Sequence, residues 1–244
     1  MSFLNFHKIK NHALKWRDFL FDLFFPKYCV HCKKEGEWLC SSCFPLLSFK
    51  KQYCPECKKE NKNGFFCSQC KNKYFLDGAL IAGDYDQQIL AELIKKLKYN
   101  FAKDISKILA QFLNNFILKY QKENNLDLKN FLFIPVPLHK KKKNFRGFNQ
   151  SEEINKELSS LLNLKSDSKN LIRIKNTKAQ AKLNAKERKE NVKNSFFWKG
   201  ENLKRKNIIL LDDVFTTGAT LDECARILKE NGAGQVLGLT VAKG

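Results

Sequence analysis

The chain has 244 residues, with 45 Lys/Arg against 25 Asp/Glu for a formal charge of +20, and 43% of its residues are hydrophobic. That length holds one ordinary domain plus a small module, and the apolar fraction excludes a chain that stays disordered. The excess charge attracts phosphates and other polyanions, and it is spread along the sequence: residues 1–75 hold 14 Lys/Arg and 6 Asp/Glu, residues 76–244 hold 31 and 19.

The first 25 residues are apolar in places, but Lys8, Lys10, Lys15, Arg17, Asp18 and Asp22 interrupt them. They read as neither a secretory signal nor a transmembrane segment. Trp16, Phe19, Leu20 and Leu23 instead predict an amphipathic helix over 1–25 that packs on the protein's own body, with a membrane surface as the alternative.

Residues 26–75 carry eight of the nine cysteines, in four Cys-x-x-Cys pairs: Cys29/Cys32, Cys40/Cys43, Cys54/Cys57 and Cys67/Cys70. A two-residue gap lets both thiolates of a tight turn point at one metal, and two such turns complete a tetrahedron. The stretch lacks a convincing hydrophobic core, so it needs a staple. A chain without a signal peptide argues against disulfides, and a redox motif needs one pair, not four. Two structural Zn²⁺ sites are therefore expected. Sequential pairing is the simpler arrangement, the first four cysteines on one ion and the last four on the other; spacing alone leaves a cross-braced pairing open. His31 sits inside the first turn, but four thiolates already fill its tetrahedron. The ninth cysteine, Cys224, lies on an apolar helix face and reads as a buried structural thiol.

From residue 76 to 244 strands and helices alternate, which predicts an α/β domain with a parallel sheet. Gly78–Tyr85 reads as a strand and Gln87–Tyr99 as a helix. Ile105 to Ile117 mark a longer helix, followed by a polar linker near Gln121–Lys129. Phe131–Pro137 reads as a buried strand leading to His139 and the basic stretch Lys140–Gln150, which reads as a loop. There Lys140–Lys143 face a multiply charged ligand or solvent, Arg146 folds over a ligand, and Phe145 and Phe148 are placed to stack on exposed bases. A helix over Ile154–Leu162 and two short strands, Leu171–Asn176 and Ser195–Trp198, come next. The sheet finishes with Asn207–Leu211 and Gln235–Val241.

The last part is the most informative. After the apolar Ile208–Leu211 come Asp212 and Asp213, then Thr216, Thr217, Gly218, Ala219 and Thr220, and then a helix with Leu221, Cys224, Ala225 and Leu228 on one face. A strand-to-helix turn offers unsatisfied N–H groups and a favourable dipole to an anion. Adjacent carboxylates hold a sugar diol or, through water, Mg²⁺. Phosphate, diol and divalent metal together describe a phosphorylated ribose.

This segment resembles the phosphoribosyl-pyrophosphate (PRPP) motif of type I phosphoribosyltransferases. The order of the whole chain is similar to that of the ComF family: double zinc ribbon, Pro135-Val-Pro-Leu-His139, Arg146-Gly-Phe-Asn-Gln150, Thr177-x-x-Gln180-x-x-Leu183, Arg188-x-x-Asn191, then the PRPP loop. The resemblance implies a type I phosphoribosyltransferase fold behind the zinc module. It implies ribose held by Asp212 and Asp213, the 5′-phosphate held by Thr216–Thr220, and Lys98, His139, Lys140 and Gln180 near the site, with Arg146 stabilising the leaving pyrophosphate. It further implies Mg²⁺ bound with PRPP, a role in natural competence, single-stranded DNA and other competence proteins as partners, and a location in the cytoplasm, at the inner face of the membrane if the N-terminal helix binds lipid. Lys178-Ala179 stand before Gln180 where a proline is common. Two other readings fit the residues: a zinc-ribbon nucleic-acid binder on a silent fold, or a nucleotide-salvage transferase unrelated to DNA.

Overall fold

The computed structural model describes residues 26–99, 102–177 and 184–244. The N-terminal helix expected over 1–25 and Gln180 lie outside the described residues. The chain divides into two compact units, Met1–Leu46 and Leu47–Gly244.

In the smaller unit, Cys29 N–H reaches Lys34 O (2.8 Å) and Lys33 N–H returns to Cys29 O (3.0 Å), a tight turn closed by Lys33 in the left-handed region (φ 64°). The same bonds recur in the larger unit, from Cys54 N–H to Lys59 O (2.8 Å) and Lys58 N–H to Cys54 O (3.0 Å), with Lys58 at φ 61°. The sequence duplication is thus a duplication of a metal knuckle.

The larger unit is an α/β body. Its sheet has four parallel strands, β1 (Gly78–Asp84), β2 (Leu132–Pro135), β5 (Ile208–Phe215) and β6 (Val236–Lys243), in the order β1-β6-β5-β2. Near-continuous apolar runs are what strands covered on both faces require, and β1, β5 and β6 are buried almost throughout. The helices are α1 (Gln88–Tyr99), α2 (Ile105–Asn124), α3 (Lys140–Arg146), α4 (Gln150–Leu162), α5 (Ala185–Val192) and α6 (Ala219–Glu230). Strands β3 (Leu171–Arg173) and β4 (Phe196–Trp198) pair antiparallel in a sheet of their own.

The second knuckle is built into this body. Cys54, Phe66, Cys70 and Leu76 share one apolar cluster with Ile208, Leu210, Leu221, Cys224 and Trp198. Phe66 stacks on Tyr74 at 4.3 Å. Gly78, the first residue of β1, has to be glycine, because a Cβ there would stand 2.6 Å from Gly64 O. Asp222 of α6 accepts the N–H groups of Phe75 (2.7 Å) and Leu76 (3.0 Å), fixing the exit of the knuckle. The cysteine-rich stretch is expected to lack a core of its own, and its second half is completed by apolar residues of the α/β body, from Ala79 to Val236.

Three further local expectations are corrected. Helix α2 runs on to Asn124, where Asn125 takes the left-handed cap (φ 52°), so the linker starts later than its polarity suggests. The basic stretch is not a loop: Lys140–Arg146 forms α3, because His139 Nδ1 caps Lys141 N–H (3.2 Å) and Gly147 ends the helix at φ 81°. Phe148 is 8% exposed and belongs to the core, whereas Phe145 is 84% exposed.

Candidate functional site

The two cysteine groups resolve the pairing. Cys29, Cys32, Cys40 and Cys43 form one and Cys54, Cys57, Cys67 and Cys70 the other, with all four sulfurs of each group within 4.8 Å of one another. Tetrahedral zinc with Zn–S of about 2.3 Å sets S···S edges near 3.8 Å. The Cys32–Cys40 and Cys57–Cys67 pairs stand at 3.6 and 3.7 Å.

Burial pushes the Cys29 thiol up, but N–H groups of Cys40, Cys32 and His31 outweigh it and hold it at about 6. Cys54 is brought to about 7 in the same way by Cys67, Cys57 and Glu56. Burial and neighbouring thiols push Cys43 and Cys70 up to about 12. Each group thus favours a first thiolate and resists the last, an opposition that a dication relieves. The donor set fits structural Zn²⁺.

The second site lies at the carboxyl edge of the sheet, where parallel α/β folds place ligands. A cleft of about 900 Å³ is lined there by Tyr85 after β1, Val136–Leu138 after β2, Asp212–Thr216 of β5 and its turn, and Gly244 after β6. Strand β5 runs to Phe215, four residues past the predicted end, because Asp212, Val214 and Phe215 continue its ladder with β6. The acidic pair therefore sits within the strand, and alternation sends its two side chains to opposite faces.

Asp213, 4% exposed, shares the face of Ile209 and Leu211 and pairs with Lys98 of α1 at 2.7 Å. Burial works against the Lys98 ammonium, and the charges of Asp213 and Asp212 more than offset it, so its pKa is raised. Asp212 faces the other way. Its Oδ1 accepts from Ser151 Oγ of α4 and from Asp213 N–H, both at 2.9 Å. Burial and the Asp213 charge raise its carboxyl to about 6.

Beyond Phe215 the chain turns into α6 at Gly218, which holds φ +75° and whose absent Cβ would meet Phe215 Cζ at 2.7 Å. Thr217 Oγ1 accepts Ala219 N–H at 3.4 Å. Across the cleft stand Lys141, Lys142 and Arg146 of α3 with Arg173 of β3 and Arg188 of α5. Burial lowers the Lys142 pKa, and the charges of Arg173 and Arg146 add to it. Arg146 donates to Gln150 Oε1 and lies over the Tyr99 ring at 5.7 Å. Arg173 donates to Thr177 Oγ1 (2.6 Å), and its buried Nε finds no partner among the described residues.

Of the expected site residues, Lys98, Arg146, Asp212, Asp213, Thr216, Gly218 and Thr220 line this cleft, and Thr217, Ala219, His139 and Lys140 are not in its lining. Sequence reading missed Ser151 and Arg173. A serine one place after Asn149-Gln150 and an arginine in a short strand carry no local signal, since only tertiary folding brings them beside Asp212 and α3. Cys224 is fully buried beneath the site, with burial pushing its thiol well up, as a structural role requires.

Two four-cysteine groups and an α/β body whose cleft is lined by both carboxylates and basic side chains define the class, and comparison with known proteins gives the family. The family model for the double zinc ribbon domain matches residues 20–77. Competence protein F of Haemophilus influenzae is 31% identical over 223 residues, 87% of this chain and 95% of that protein. DNA utilization protein YhgH of Escherichia coli (strain K12) is 34% identical over 147 residues, 60% of this chain and 64% of that protein. Competence protein ComFC of Bacillus subtilis is 35% identical over 144 residues, 58% of this chain and 49% of that protein. The chain belongs to the competence protein F (ComF) family. No helix among the described residues is long and apolar enough to cross a membrane.

Proposed function

We propose that the cleft binds Mg²⁺-PRPP and that the protein serves competence and DNA uptake, with phosphoribosyl transfer as its chemistry. One observation carries the binding reading. Asp212 and Asp213 lie in the second half of β5, Thr216 and Gly218 of the turn into α6 follow, and all four line one cleft together with Lys98, Arg146 and Arg173, Lys98 pairing with Asp213. Diol acceptors, phosphate donors and cations thus converge on one cleft.

In this reading Asp212 and Asp213 hold the ribose hydroxyls, and Thr216 to Thr220 hold the 5′-phosphate. Mg²⁺ with PRPP would be held through water by the same carboxylates and would neutralise pyrophosphate charge. Lys98 and Arg146 stabilise the charge that develops on the leaving pyrophosphate as an acceptor nucleophile takes the anomeric carbon. Ser151 keeps Asp212 aimed at the site. The domain boundaries that go with this reading are 1–25 for the N-terminal segment, 26–75 for the zinc ribbons and 76–244 for the phosphoribosyltransferase-like body.

The DNA role rests on the relatives named for competence and DNA utilization and on the +20 charge. These also favour a second reading, a nucleic-acid binder whose cleft takes PRPP as a ligand without turnover. Pyrophosphate release from PRPP in the presence of candidate acceptors separates them. Saturable release with one acceptor, lost in Asp212→Asn/Asp213→Asn, supports transfer. DNA binding that survives this double substitution, with no release by any acceptor, supports the second reading.

A further inference from the structure

Helix α3 carries Lys-Lys-Lys-Lys-Asn-Phe-Arg in two turns. Residues four apart share a helix face, and here that spacing sorts the charges. Lys142 and Arg146 form one stripe, half-buried and lining the cleft; Lys141 and Phe145 form the next, exposed and also lining it, so they mark its mouth. Lys143 is tied to Glu152 at 2.7 Å, but among the described residues no carboxylate pairs with Lys140, Lys141 or Lys142. A basic stripe without counter-charge is costly to the folded protein and fits a polyanion that supplies the charge. Phe145, at 84% exposed, leaves a whole ring face to solvent beside these lysines. Lysines without carboxylate partners beside a free aromatic face match a strand whose bases are unpaired: a duplex keeps its base faces covered and an anionic membrane offers none.

We propose that the Lys141–Phe145 stripe is the docking surface for single-stranded DNA and that a strand lying on it runs its phosphates onto Lys142 and Arg146, so that DNA and PRPP exclude each other. This rests on the DNA and PRPP readings above and adds where the strand lies and how the two ligands are coupled. It places the strand on the α/β body and assigns no contact with it to the zinc ribbons. Because coupling is reciprocal, PRPP weakens DNA binding by the same factor as DNA weakens PRPP binding.

The test uses the full zinc-replete chain and a fluorescein-labelled dT15 oligonucleotide, read by anisotropy over a salt series. Lys141→Ala is expected to lower the slope of log K against log salt by about 0.7, one phosphate contact on a single strand. Phe145→Ala is expected to weaken dT15 by roughly 5- to 100-fold, the effect of one lost stacked base. The wild type should bind an abasic 15-mer as weakly as the variant binds dT15, and the variant should no longer tell the two oligonucleotides apart. Saturating Mg²⁺-PRPP should weaken dT15 at least fivefold. The proposal is overturned if dT15 binds but neither substitution matters, if the variants lose phosphatidylglycerol vesicles and not DNA, or if bound PRPP leaves DNA affinity unchanged. A wild type that binds no dT15 even at low salt overturns the DNA reading itself. A wild type that binds DNA but not PRPP overturns the PRPP reading and the exclusion, and leaves the stripe to be judged by its two variants.

Discussion

Replacing Asp212 by Asn should make the protein more stable at neutral pH while weakening its proposed ligand. The carboxyl is raised from 3.8 to about 6 by burial and by the charge of Asp213, against the pull of Ser151, the Asp213 N–H and Lys98. A folded-state pKa above the unfolded value means the native protein keeps a proton that the unfolded chain has released. Stability therefore falls as pH rises from about 4 to about 6, and above 6 the full cost of the charged form is present. Roughly 2 units at 1.4 kcal/mol each set an upper bound of about 3 kcal/mol. Asn removes that cost and keeps an Oδ1 for the two donors at 2.9 Å. Urea unfolding of the zinc-replete protein at pH 7.5 should show Asp212→Asn more stable by about 1–3 kcal/mol, roughly 2–4 °C in Tm for each. The difference should close as pH falls toward 4. A variant less stable than wild type at pH 7.5, or one whose advantage is the same at both pH values, refutes the electrostatic reasoning.

Three more outcomes follow from the same geometry. Lys98→Met strands Asp213, whose side chain is 6% exposed, without its partner and should cost about 2–3 kcal/mol in urea unfolding, with Lys98→Arg recovering part of it; an unchanged midpoint means the pair is not holding α1 to β5. Gly218→Ala forces a side chain into φ +75° and to 2.7 Å from Phe215 Cζ, so it should lose about 1–2 kcal/mol, and a wild-type midpoint would show that the turn relaxes freely. Metal analysis should find two zinc ions per chain and one in either Cys43→Ser or Cys70→Ser. Cys70→Ser should also lower the unfolding midpoint of the larger unit, because Cys54, Phe66 and Cys70 share its core; full zinc content in either variant refutes the two four-cysteine sites.

Much of this molecule is legible from local pattern. Cys-x-x-Cys spacing implies the knuckles because two thiols two residues apart can reach one ion without help from the rest of the chain. The uncharged run Ile208–Leu211 and the 3.6-residue face of Leu221, Cys224, Ala225 and Leu228 likewise announce a buried strand and its helix. What stays illegible depends on distant residues. Strand β5 extends through the two carboxylates because β6 pairs with Asp212, Val214 and Phe215, a contact that composition would not predict there. Lys140–Arg146 is helical despite its mutual repulsion because His139 and Gly147 cap it, and the run of lysines hides both caps. Pairing of the cysteines is set by the fold, not by spacing. Within the site, Ser151 is 61 residues from Asp212 in sequence, and only the approach of α4 to β5 gives it a role.

Calorimetric titration of Mg²⁺-PRPP into the zinc-replete protein, beside Asp212→Asn/Asp213→Asn, bears most directly on the central claim. The wild type should bind saturably and one to one, and the double variant, still folded by circular dichroism, should lose that binding. A wild type that takes up no PRPP, or a double variant that binds it equally well, contradicts the assignment of this cleft.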